Sequence, residues 1–341
     1  MAEKQKIKLW VRLAVIFTSI IVGIGVILCG AIGYFRLPVS NYYRASEKAF
    51  KIPEIGDGYV PQGMCYDKEN ETFILSGYMK DHSKSPVYLV KNGELIKKVT
   101  LKTPDGNDYI GHGGGIDFWK DFLYVTGGSD CCIYVYSYND LVTATSGDAL
   151  PCLGAFSLMK SDTDYIGNAF VTVCGDRLIT GEFYRAKSYP TLESHKITTK
   201  AGDYNQALAV EFNLDEAMPL GIAPNPTKAY SMPDQVQGLT LYNGKIYLST
   251  SWGVSFSKIY EFSEKELVLQ GEKEILGKNL PLYAMDSASL NKTYKIAPMS
   301  EEMVIVDGEL YVNCESASDK YVFGKLTGGK WIYKTNLSKM K

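Results

Sequence analysis

A histidine, several carboxylates and several amides stand at equivalent points along this chain. Gln62, His112 and Asn168 each lie three residues after a tyrosine (Tyr59, Tyr109, Tyr165). Gln235 or Gln237, and Glu301 or Glu302, occupy the matching places further on. A second set, Tyr78, Ser129, Glu182, Trp252 and Glu315, recurs one strand pair later. His112 is the one well-placed general base, because His82 and His195 fall in polar stretches and are expected to be solvated. Glu182 and Glu301 are the carboxylates for two-carboxylate acid–base chemistry. Carboxylate and amide oxygens of this kind suit Ca²⁺, which takes about six to eight oxygen ligands in a flexible shell. Gln62, Tyr78, His112, Asn168, Gln237, Trp252 and Glu301 together also make a ligand-binding set of amides, acids and aromatics. The plainer alternative is a wet, polar channel mouth whose amides bond to backbone.

The elements that position these residues are legible from repetition. Five times a tyrosine leads into a short polar and glycine stretch: Tyr59 to Gly63, Tyr109 to Gly113, Tyr165 to Asn168, Tyr230 to Gly238, and Tyr294 to Glu302. Two hydrophobic runs follow each stretch, joined by a tight turn at 68–71, 120–121, 175–176, 243–244 or 307–308. Runs rich in β-branched and aromatic residues, joined by Asn-Gly or Asp-Gly, are β-hairpins. Third runs follow at Val87 to Val90, Ile133 to Tyr136, Leu208 to Phe212, Lys258 to Phe262 and Tyr321 to Lys325. Weaker fourth runs include Lys98 to Leu101 and Lys330 to Lys334. Repetition of about 50 to 70 residues with about four strands per unit predicts an all-β, five-bladed β-propeller of four-stranded antiparallel blades. The tight turns then share a lower face. The longer connections, 80–86, 105–111, 161–167, 184–206 and 281–298, share an upper face, where binding and catalysis usually sit.

The N-terminus is a different material. Lys4, Lys6, Lys8 and Arg12 precede 23 uncharged residues, Leu13 to Phe35. That stretch is long enough to cross a bilayer as one helix, and the basic cluster before it predicts a cytoplasmic N-terminus. The expected organisation is therefore 1–12 cytoplasmic, 13–35 a transmembrane signal-anchor helix, 36–58 a tether with room for a closing strand, and 59–341 the propeller. The implied location is the plasma membrane, single-pass, with the propeller outside. A cleaved signal peptide or a lipid-modified Cys29 are the competing forms, although Ala31-Ile32-Gly33 is a poor cleavage site and Leu28 is large for a lipoprotein signal. The first 12 residues carry +3 against −2 for the whole chain, which leaves −5 on the remainder. A mildly acidic outer domain argues against nucleic acid as a partner. Among seven cysteines, Cys152 with Cys131 or Cys132 is the pair that would bridge outside the cytoplasm; unpaired thiols are the equal alternative.

Linear catalytic motifs are missing. His112-Gly113-Gly114-Gly115 looks like a lipase oxyanion loop, but no Gly-x-Ser-x-Gly accompanies it. His-Glu-x-x-His and phosphate-binding glycine loops are also absent. The Tyr59-Val60-Pro61-Gln62-Gly63-Met64 opening, the Gly111 to Gly115 run and Val236-Gln237-Gly238 resemble a family of secreted or membrane-anchored bacterial propeller proteins, over roughly residues 58 to 335. More distantly, the blades resemble lactonase-like propellers of the gluconolactonase and paraoxonase type. That resemblance implies an axial metal, with Asn168 and Glu301 or Glu302 as the matching ligands. Gln62, His112 and Gln237 stand where that pattern has carboxylate or Asn. The leading expectation is an anchored propeller that binds a small molecule, glycan or protein partner on its upper face. A lactonase-type hydrolase, with His112 and Glu182 as catalytic residues, and a structural part of an envelope complex are the alternatives.

Overall fold

The computed structural model describes residues 2–340, with side chains from residue 5 onward. Met1 and Lys341, which end the expected cytoplasmic segment and propeller, lie outside the described residues, as does the side chain of Lys4.

Five sheets stand around one axis. Their inner strands are Tyr59–Asp67, Ile116–Trp119, Phe170–Cys174, Val236–Tyr242 and Ser300–Val306. Each pairs antiparallel with the next run, as the hairpin signals predict. The turns Asn243-Gly244 and Asp307-Gly308 have positive φ at both residues (51° and 71°; 49° and 84°). That geometry matches the twist of a two-residue hairpin, and Asn, Asp and Gly tolerate it best.

The middle strands of the blades are buried on both faces, because each blade is packed between two others, while outer strands such as Glu94–Leu101 and Val268–Ile275 are only partly buried. Ala207–Leu214, in the third blade, exposes only Asn213 along its length. Five separate apolar cores fill the five seams between blades. The seam between the last and first blades holds Phe50, Ile52, Tyr59, Met64 and Ile332. It therefore depends on a strand from the N-terminal side: Ser46–Lys51 pairs antiparallel with Trp331–Thr335 and completes the fifth blade. The tether supplies that closing strand.

Several expectations are corrected in detail. Tyr321 to Lys325 is not the third strand of the last blade. Residues 315–330 form a loop with a 3₁₀ turn at Phe323–Thr327, closed by Gly328 at φ 87°. The third strand is Trp331–Thr335. Residues 281–298 are largely strand rather than loop, with Lys278–Ala284 and Leu290–Ile296. The hairpin Val268–Ile275 and Lys278–Ala284 leaves the fourth blade and joins the third blade's sheet, parallel to Ile222–Met232. Likewise Ala149–Leu150 adds to the first blade. Tyr230 and Tyr294 lie in outer strands rather than in entry turns. All seven cysteines are free, so Cys152 forms no bridge with Cys131 or Cys132; its thiol donates to the Gly154 carbonyl at 3.2 Å.

The helix Ala2–Arg36 is long and apolar enough to cross a membrane, with mean hydropathy 2.7 in its most apolar part. Among its described residues only Phe35 is buried. The chain then passes through Leu37–Val39 and Ser40–Arg44 to Ala45, whose carbonyl accepts the Asn336 N–H at 2.9 Å.

Candidate functional site at the axial mouth

The inner strands of the first, fourth and fifth blades begin at the upper end of the axis, and an irregularity in register opens each one there. Pairing skips between Pro61 and Met64, between Val236 and Gly238, and between Ser300 and Met303. Such bulges release side chains from the alternating pattern and re-aim them. Gln62, Gln237 and Glu301 are the residues released. Gln62 donates from Nε2 to Glu315 Oε2 at 3.2 Å. Gln237 Nε2 reaches Ser251 Oγ at 3.3 Å and Glu301 Oε1 at 3.4 Å. The Tyr321 hydroxyl donates to Glu315 Oε1 at 2.8 Å. Tyr78 stacks on His112 with ring centroids 4.4 Å apart, and the Lys320 ammonium donates to the Tyr78 hydroxyl. These contacts gather four blade elements around one opening.

The electrostatics are those of acids withdrawn from water. Burial holds the Glu301 carboxyl well above the usual carboxylate range, and the neighbouring Glu315 and Glu302 push it further in the same direction. Burial also raises Glu315, against the opposing pull of the Tyr321 hydroxyl and the Lys320 charge. The His112 ring leans on Tyr78, so loss of water and the nearby Lys320 charge lower its pKa below the ordinary value. The mouth thus brings together two acids raised by burial, an imidazole whose pKa is lowered, two amides and one lysine.

The other predicted residues lie elsewhere around the same face. Glu182 is 2% exposed; its Oε1 sits 2.9 Å from His195 Nδ1 and its Oε2 accepts the Leu208 N–H at 2.9 Å. His195, expected in solvent, is buried at 3% exposure because it closes over that carboxylate. Both Glu182 oxygens are therefore occupied, and no hydrogen bond joins it to His112. Asn168 donates from Nδ2 to the Cys132 carbonyl at 2.7 Å, while its Oδ1 is buried without a partner. No hydrogen bond joins Asn168 to Glu301, and no group of three or more His, Cys, Asp or Glu among the described residues is placed to hold a metal.

Trp252 belongs to an aromatic cluster on the same face. Phe183 and Tyr189 lie 6.1 Å from its ring, and the Arg185 guanidinium stands 3.8 Å above it. A recess of about 560 Å³ opens beside it, off the axis, lined in part by Asp203, Tyr204, Asp234, Phe256 and Asp286. Sequence reasoning missed Lys320, Tyr321, Phe183 and Tyr189. The residues Ser316 to Asp319, with Gly324, Gly328 and Gly329, are the signal that could have marked 315–330 as a loop rather than a strand.

The lower half of the axis is built differently. Glu302 Oε1 accepts the Leu239 N–H at 3.2 Å across the seam to the fourth blade. Asp117 accepts the N–H groups of Val173 at 2.6 Å and Phe118 at 2.9 Å. Burial nevertheless pushes Asp117 up to about 7. A recess of about 320 Å³, lined by Met64, Asp117, Thr240 and Glu302 among others, lies between these groups.

No family model and no curated protein matches the chain. Solved structures similar to it include a luciferin-regenerating enzyme, at 14% identity and TM-score 0.44, covering 84% of this chain and 95% of that one. A glutaminyl cyclase from Myxococcus xanthus aligns at 10% identity and TM-score 0.42, over 78% of this chain and 90% of that one. The PQQ-bound aldose sugar dehydrogenase from Streptomyces coelicolor aligns at 14% identity and TM-score 0.41, over 79% and 76%. These likenesses are distant, and no activity is carried over from them.

Proposed function

We propose that this protein is a membrane-anchored, extracytoplasmic propeller that binds a small neutral, hydroxyl- or amide-bearing ligand at its axial mouth. The observation that carries the reading is Glu301. Its carboxyl is buried at the mouth, raised by that burial well above the usual carboxylate range, and fixed by a single long hydrogen bond of 3.4 Å from Gln237. A neutral carboxyl can donate and accept, and it rejects no ligand by charge. Gln62 and Gln237 add planar amide donors and acceptors, and Tyr78 and Tyr321 add aromatic edges. Such a small number of convergent polar groups within a rigid, mostly apolar frame is how ligand sites achieve orientation. The ligand would displace the Lys320–Tyr78 and Tyr321–Glu315 contacts that now cover the opening. The basic residues before the apolar helix support an N-terminus inside and a propeller outside.

The test is calorimetry on the full chain in nanodiscs against a panel of N-acetylated sugars, oligosaccharides and short peptides, with Ca²⁺ and EDTA as separate arms. A ligand is expected whose affinity falls about tenfold or more, roughly 1.4 kcal/mol, in Gln62→Ala and in Glu301→Ala. Binding that survives both changes would refute the axial mouth as the site. Enhancement by Ca²⁺ and loss in EDTA would favour the metal-dependent alternative.

A further inference from the structure

We propose that the upper face of the propeller is a membrane-docking surface, resting on the phospholipid bilayer that the helix Ala2–Arg36 enters. This rests on reading that helix as a membrane span. Its C-terminal end is fastened to upper-face loops. Tyr34 lies 6.5 Å from Phe256, in the loop that follows Lys245–Thr250, and Arg36 reaches Gly328 in the 315–330 loop. From there the chain runs to Ala45, beside Asn336 at the opposite end of Trp331–Thr335. The chain therefore descends from the upper rim to the lower one after leaving the helix. The apolar helix stands on the upper side.

The loops around that rim carry exposed apolar side chains. Ile110 is 55% exposed, Tyr189 49%, Tyr204 57%, Val254 50%, Val322 79% and Phe323 65%. They come from the connections of four different blades, so no single loop accounts for them. Scattered exposed hydrophobics are ordinary, but a set on the face that also bears the membrane helix marks an interaction surface. Tyrosines beside apolar tips suit the water–lipid boundary, and Arg185 and Lys187 suit its headgroups. The inner hairpin turns of the lower face, at 68–71, 120–121, 175–176, 243–244 and 307–308, hold no exposed large apolar side chain. Leu95 and Ile96, in the first blade's Glu94–Leu101, and Val142, in the helix Tyr138–Thr143 that follows the second blade's third strand, are also exposed. Docking by the upper face would open the axial mouth toward lipid headgroups rather than toward bulk water.

The test places a nitroxide-bearing noncanonical residue at one position at a time in the full chain: Phe17, Val254, Phe323 or Asp307. Each protein is reconstituted in vesicles of phosphatidylcholine and phosphatidylglycerol, and collision with oxygen is compared with collision with a water-soluble nickel chelate. The expected result is oxygen-dominated collision at Phe17, Val254 and Phe323, and chelate-dominated collision at Asp307. Chelate-dominated collision at Val254 and Phe323 would overturn the proposal, whether or not Phe17 lies in lipid. Hydrogen exchange of the unmodified chain gives an independent reading, with amides of residues 320–326 slowed in vesicles relative to detergent if the face is docked. The outcome does not depend on ligand binding at Glu301, so each proposal can fail alone.

Discussion

Glu301 and Glu302 are neighbours in sequence and both are buried at 2% exposure, yet they do different work. Beside the bulge between Ser300 and Met303 their side chains take different partners. Glu302 fits a slot made for it. It bonds to the Leu239 N–H, and a Cβ on Gly238 would come within 2.5 Å of its Oε1 and 2.8 Å of its Cα. It is a staple between two blades. Glu301 has a looser setting, with one 3.4 Å contact from a side chain and an acid, Glu315, for company. Both acids are pushed up by burial, so a raised pKa alone does not mark the functional one. What separates them is that one Glu302 oxygen is committed to backbone while its Oε2 is buried without a partner, whereas Glu301 meets only side chains.

The comparison can be broken most sharply at Gly238. Gly238→Ala forces a methyl against the Glu302 backbone, and an unfolding titration in urea should show a loss of about 1–3 kcal/mol, the cost of overpacking a tight seam. Glu302→Leu should lose somewhat less, about 1–2 kcal/mol, because it leaves the Leu239 N–H buried without an acceptor. Asp117 supplies a pH test of the same lower region. Its folded pKa of about 7 exceeds its unfolded value, so the folded protein binds this proton more tightly. Its contribution to stability is complete in acid and declines as pH rises from about 4 through 7. Asp117→Asn should remove that part of the decline, seen as a flatter plot of urea midpoint against pH; an unchanged slope would show that Asp117 does not titrate there. Glu301→Gln should change unfolding free energy least, within about 0.5 kcal/mol. A loss as large as that at Glu302 would make Glu301 a staple too.

Much of the fold was legible because hairpins advertise themselves locally. Asn243-Gly244 and Asp307-Gly308 fix two turns by backbone chemistry alone, and the alternating runs beside them fix the inner strands. The outer parts were less legible because tertiary pairing decides them. Ser46–Lys51 becomes a strand by finding Trp331–Thr335 from 280 or more residues away, as in the pairing of Lys51 with Trp331. Residues 268–284 become a hairpin that another blade adopts. At the mouth, repeat position placed Gln62, His112, Gln237 and Glu301 at the same end of the axis. It could not place Lys320 and Tyr321, which arrive on a loop. Nor could it show that His195 turns inward onto Glu182, since thirteen residues of irregular chain separate them.

The proposed ligand site depends on Glu301 offering a neutral carboxyl to the axial mouth. Difference infrared spectroscopy tests it directly, comparing the full chain in nanodiscs with its Glu301→Gln variant at about pH 7, where an ordinary carboxylate is ionised. A protonated-carboxyl band is expected in the native protein and missing from the variant, while the contribution of Glu302 cancels. A difference spectrum showing loss of an ionised carboxylate instead would contradict it.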